Sequence, residues 1–127
     1  MEKLLLITKS RDLAQRAKDS LSGSNLMLKE AESSAFALKL LNEQSFDFIL
    51  LDSEIEDLPC ESLLRKINLK SPQSEIFVTL EKSGDQTALK NCGADDVIGF
   101  PLDKEELHLK INKASRERSF LRSCGLV

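Results

Sequence analysis

The chain has 127 residues, 41% of them hydrophobic and 31% charged, with a formal net charge of −3. That length suits one domain able to bury a core without disulfides or a structural metal, and the composition speaks against disorder or membrane residence as its bulk character. The acidic balance leaves no overall basic field for phosphate backbones or an anionic membrane, so no nucleic-acid or membrane partner is expected for this segment.

In chain order, Leu4-Leu5-Leu6-Ile7 is a short apolar run that reads as a strand, followed by the loop Thr8-Lys9-Ser10. Leu13, Ala14, Ala17 and Leu21 then recur at helical spacing. Ser22-Gly23-Ser24 closes that helix, because glycine takes the left-handed conformation that ends a helix, and Leu26-Met27-Leu28 begins a weaker second strand. Ser33 or Ser34 caps a helix carrying Ala35, Leu38 and Leu41, which stops near Asn42 to Ser45. Phe46 to Leu51 is the best strand in the chain, apolar at nearly every position, as expected of a parallel strand covered on both faces. It belongs at the sheet centre.

After the acidic loop Asp52 to Asp57, a helix is predicted from about Pro59 to Lys70, with Leu63, Leu64 and Ile67 inward. Ser71-Pro72 breaks it, since the residue before proline is pushed out of the α region, and Ile76 to Leu80 supplies a fourth strand. A short helix through Ala88, Leu89 and Cys92 ends at Gly93, and Val97 to Phe100 forms a fifth strand ending at Pro101. Asp103 and Glu106 make a predicted capping box for the last helix, ahead of Leu107 and Ile111. This alternation of strand and helix with short connections selects an α/β fold: a doubly wound parallel sheet with helices on both faces.

The longest apolar runs are too short to cross a bilayer, and the N-terminus lacks a signal-peptide pattern, so a cytoplasmic address is expected. Cys60, Cys92 and Cys124 are odd in number and widely spaced, which supports neither a disulfide framework nor zinc ligation. Cys60 and Cys92 are expected to pack as small apolar groups and Cys124 to be exposed. His108 has no ligand-type neighbours and is expected at the surface or in helix packing.

Reactive groups of open parallel sheets gather outside the carboxyl ends of the strands, where strand order reverses. That nominates Thr8-Lys9, Asp52, Thr79 to Glu81, Phe100-Pro101 and, more weakly, Ala31-Glu32. The order and content of these loops, from Lys3 to about Ser115, resemble the response-regulator receiver (CheY-like) domain. The likeness rests on the hydrophobic strand ending in Asp52, on Thr79, on the turn Gly93-Ala94-Asp95-Asp96, and on Pro101 before an amphipathic last helix. The resemblance implies a flavodoxin-like five-stranded sheet of order 2-1-3-4-5, with Asp52 at the position that a histidine kinase phosphorylates. It also implies Thr79 as the switch threonine and Pro101 as a cis-proline.

Other family positions depart from the pattern. The acidic pair that holds magnesium reads Thr8 and Lys9, the lysine before the proline reads Phe100, and the switch aromatic reads Val97. Magnesium requires a near-octahedral set of oxygen ligands, so binding is expected to be weak or absent and no cofactor or metal is assigned. Asp52 is then either a phosphoacceptor or an aspartate left at a strand end; the missing partners favour the second. Lys9 reads equally as a counterion for Asp52 or as a solvated loop lysine. Phe100 is expected to cap the emptied pocket with apolar area, and Glu54, Glu56 and Asp57 to be solvated loop surface.

Two units are expected, a receiver-like domain over 1–115 and a C-terminal helix extension or linker over 116–127. The family resemblance implies a signalling partner or output domain bound through the fourth helix, fifth strand and last helix, with a homodimer also open. The expected function is a phosphorylation-independent interaction module and not an enzyme; the alternatives are an active receiver controlling an output domain and, ranked low, a flavodoxin-like enzyme or nucleotide binder. The last ranks low because no glycine-rich phosphate loop follows the first strand.

Overall fold

A computed structural model describes residues 2–81 and 84–125. The strands are β1 (Glu2–Ile7), β2 (Leu26–Ala31), β3 (Phe48–Asp52), β4 (Glu75–Leu80) and β5 (Asp96–Gly99). The helices are α1 (Arg11–Leu21), α2 (Ser34–Glu43), α3 (Cys60–Lys70), α4 (Gln86–Asn91) and α5 (Lys104–Ser123). All pairings are parallel and the sheet order is β2-β1-β3-β4-β5, so the expected doubly wound topology holds.

Strand alternation sorts the apolar residues into two layers. Leu5, Ile7, Ile49, Leu51, Ile76 and Val78 face the side covered by α2, α3 and α4. Leu4, Leu6, Phe48, Leu50, Phe77 and Ile98 face α1 and α5. β3 is buried at every residue, which explains its unbroken apolar run. β2, at the sheet edge, is only partly covered and alternates between half-buried and exposed residues until the buried Ala31.

Three expectations shift. β5 is Asp96–Gly99 rather than Val97 to Phe100. The central strand begins at Phe48 rather than Phe46 and takes in Asp52. Asp47, just before it, bonds both neighbours: its N donates to Lys3 O at 2.9 Å, its O accepts from Glu75 N at 2.9 Å, and its carboxylate accepts from Lys3 N at 2.9 Å. The capping box is only half made: Asp103 accepts from Glu105 N and Glu106 N, but Glu106 Oε1 accepts from Gly99 N at 3.0 Å. The carboxylate goes to the end of the edge strand β5, where a backbone donor lacks a ladder partner. α5 runs unbroken across the expected 115/116 boundary; residues 126–127 of the predicted extension lie outside the described residues.

Glu75 opens β4 in a half-buried position. Burial pushes its carboxyl above the ordinary value, neighbouring Asp95 adds to the rise, and Arg118 opposes it. A carboxyl raised on folding contributes stability that is full below its unfolded-state value and is lost as pH rises through the folded-state value. Ionised Glu75 is therefore a liability at neutral pH. Glu75→Gln is expected to raise the urea midpoint at neutral pH and to give no gain below about pH 4; urea titrations at the two pH values check this.

Candidate functional site

Parallel strands that all end on one side bring their following loops to a common edge. Register sets the neighbours: Ile7 lies opposite Leu51, Asp52 opposite Thr79, and Thr79 opposite Ile98. The order reverses between β1 and β3, so Thr8 and Asp52 flank the switch point. Thr8 N donates to Ala31 O at 3.0 Å, which extends the β1–β2 ladder by one bond.

Asp52 is 5% exposed. Its Oδ2 accepts from Thr8 Oγ1 at 2.6 Å, and its Oδ1 accepts from Glu54 N at 2.9 Å. Thr8 Oγ1 in turn accepts from Ser10 N at 3.0 Å, the amide of the residue that caps α1. Thr79 is fully buried, and its Oγ1 accepts from Ser53 N at 3.4 Å. A hydrogen-bonded chain thus runs from the start of α1 through Thr8 to Asp52. A carboxylate this buried needs donors on both oxygens, and neutral groups supply them.

Lys9 is exposed, and among the described residues it has no ion pair. Of the two readings of Lys9, the solvated loop lysine is the one that holds. An ammonium keeps its hydration more cheaply than it reaches a carboxylate whose oxygens are already bonded. Phe100 is corrected: it is 37% exposed and belongs to neither core layer, while its backbone N donates to Leu80 O at 3.0 Å. The Phe100–Pro101 bond is cis. Val97 is buried in β5, and Lys110 Nζ donates to its carbonyl at 2.9 Å.

Glu54, Glu56 and Glu81 are exposed. Asp57 has a structural contact invisible in the sequence: its Oδ2 accepts from Ser34 N at 2.8 Å and from Ser34 Oγ at 2.6 Å. The Ser34 hydroxyl bond holds the Asp57 carboxyl below its ordinary range. The β3–α3 loop is tied by this bond to the first turn of α2. Two serines ahead of an apolar helix mark the cap, but nothing local marks its distant acceptor.

The donor set does not suit Mg²⁺. Among the described residues no three His, Cys, Asp or Glu side chains cluster to hold a metal, and one oxygen of Asp52 already accepts a hydrogen bond from the Thr8 hydroxyl. Mg²⁺ takes oxygen ligands in near-octahedral array, several of them waters, with one or two carboxylates as its protein anchors; here Thr8 and Lys9, which follow β1, add no carboxylate to that of Asp52.

The architecture and the buried aspartate at its switch point define a flavodoxin-like domain of receiver type. The family model described as the response regulator receiver domain matches residues 4–112, and the chain belongs to that family, a signalling module of two-component systems. It is 33% identical over 122 residues to a cyclic di-GMP phosphodiesterase of Thermotoga maritima, covering 91% of this chain and 32% of that protein. The chain therefore spans only the matching minor part of that relative. Among solved structures it is similar to a two-component response regulator from Clostridium difficile, with a TM-score of 0.83, 24% identity, and coverage of 91% of this chain and 97% of that one. It is also similar to the signal receiver domain of an HD domain-containing protein from Pseudomonas fluorescens, with a TM-score of 0.82, 20% identity, and coverage of 96% and 92%. Among the described residues no helix is long and apolar enough to cross a membrane.

Thr8→Val keeps the shape and removes the hydroxyl, leaving Asp52 Oδ2 buried without its donor. The expected cost is about 1–3 kcal/mol in chemical denaturation, and Asp52→Asn in the same background should recover part of it. The cysteines give a second check. Cys92 is buried, Cys60 is half-buried and Cys124 is exposed. Burial, reinforced by the charges of Glu61 and Asp52, pushes the Cys60 thiol up to about 11. At neutral pH a maleimide is expected to label Cys124 first, with Cys60 and Cys92 reacting only after denaturant is added, as read by intact mass.

Proposed function

We propose that the chain is a receiver that works without phosphorylation, as a protein-interaction module. The receiver unit spans 1–115 with 116–127 as its helical extension, and the partner or output domain binds through α4, β5 and α5. The single observation that carries this reading is the state of Asp52: buried, with both oxygens bonded to neutral donors, and with Thr8 and Lys9 where the family has its metal-holding acids. A dianionic phosphoryl group brought there meets a carboxylate at a few ångströms, an interaction of about 4 kcal/mol per pair of unit charges at 4 Å, and Thr8 and Lys9 provide no acidic pair to hold an offsetting divalent ion. The Thr8 hydroxyl would also have to give up its bond to Asp52 before that oxygen became a nucleophile.

A second reading is an active receiver, phosphorylated at Asp52, that controls an attached output domain. Two observations favour it. Asp52 and Thr79 stand opposite each other in register, as a phosphoacceptor and switch threonine require. The Thermotoga maritima relative, named a cyclic di-GMP phosphodiesterase, also extends well beyond the stretch that matches.

Incubation of the protein with a small phosphodonor and Mg²⁺ decides between them. The first reading expects an unchanged intact mass. Stoichiometric phosphorylation that disappears in Asp52→Asn would sink it and establish the second.

A further inference from the structure

What holds α5 to the domain changes at Ala114. Up to that point Leu107, Ile111 and Ala114 are buried in the layer shared with α1. Beyond it no residue of the helix is buried. The usual orientation is inverted there: Phe120 is 65% exposed, whereas the side chain of Arg118 is only 17% exposed. Arg118 faces the body while Phe120 faces water.

The charge has a counterpart. At the N-terminal edge of the sheet, β1 opens with Glu2, β4 with Glu75 and β5 with Asp96, and Asp47 immediately precedes β3. Arg118 Nη2 and Arg122 Nη2 lie 3.2 and 3.0 Å from the same Asp47 Oδ1. Arg118 Nη1 donates to Gln73 O at 3.1 Å, and its guanidinium stands 5.6 Å from the centre of the Phe48 ring. Ser115 Oγ donates to Glu2. The fit is incomplete, since Arg118 Nε and Glu2 Oε2 are both shut off from water, sit 3.9 Å apart, and have no hydrogen-bond partner.

We propose that residues 115–123 of α5 form an ionic clasp, a segment that leaves the sheet edge as a unit, hinged after Ala114, when the charge of Asp47 is neutralised or screened. The rest of the domain stays folded, because its core layers lie N-terminal to the hinge. Apolar anchoring does not weaken with salt, whereas ion pairs do. Opening of one segment at a free energy below that of global unfolding is the ordinary behaviour of elements with few buried apolar contacts. The two unpartnered atoms lower the cost of release, since both regain water.

Hydrogen exchange of the whole chain, read by mass spectrometry, tests the clasp. Asp47→Asn removes the charge and keeps an oxygen for the Lys3 N bond, so the β1–β3 junction is preserved. Exchange of amides 115–123 is expected to rise about tenfold in this variant, and also in wild type at about 1 M salt, with the strands and residues 104–111 unchanged. Unchanged protection of 115–123 under both conditions would overturn the proposal, as would acceleration spread evenly over the strands. Should Asp47→Asn fail to fold, Arg122→Gln takes its place, its side chain being 52% exposed. A rise confined to 115–123 supports the clasp in that variant, and no rise refutes it.

Discussion

One requirement organises this domain: the central strand is buried on both faces and ends in a carboxylate that is itself shut off from water. Parallel pairing drives the burial of β3, because crossover helices cover both faces of such a sheet. A buried charge without partners costs several kcal/mol, so the loops around Asp52 must supply donors. Thr8 and the Glu54 amide do so, and Ser10 N in turn bonds the Thr8 hydroxyl. The end of β1, the cap of α1 and the start of the β3–α3 loop are thereby fixed relative to one another. In this family the same edge carries signalling chemistry; here its polar valences are met by neutral donors of the protein itself.

The two edges of the sheet solve the same electrostatic problem differently. At the carboxyl edge one buried aspartate is matched by a hydroxyl and an amide, and among the described residues no side-chain cation pairs with it. At the opposite edge acidic residues gather at the strand starts, and α5 answers them with Lys110 on Asp96 at 3.0 Å and with Arg118 and Arg122 on Asp47. Neutral hydrogen bonds resist salt, and ion pairs yield to it. The helix that runs along the sheet is therefore held up to Ala114 by buried apolar area together with the Lys110–Asp96 pair, and beyond it by charge.

Much of the fold was readable because it depends on local pattern. Continuous apolar runs marked β1, β3 and β4, 3.6-residue spacing marked α1, and a serine or aspartate cap with that spacing marked α2 and α5. Gly93, at φ 119°, was legible as the end of the short fourth helix. The errors came where a side chain had a choice of distant partners. Glu106 looked like a capping-box member and instead bonds Gly99 N. Phe100 looked like a lid and is more than a third exposed, and Lys9, which read equally as counterion or solvated lysine, is exposed.

By itself, the sequence determined the element order, the α/β class, the central place of β3, and which residue types stand at each strand end. Those follow from periodicity and from the backbone limits of proline and glycine, which act over a few neighbours. Only the tertiary structure decided that Thr8 bonds Asp52 across 44 positions and that Asp57 bonds Ser34. It also decided that Arg118 reaches Asp47 across 71 positions. A hydrogen bond depends on tenths of an ångström between groups that chain order leaves far apart, so register and helix packing had to be in place before those partners existed.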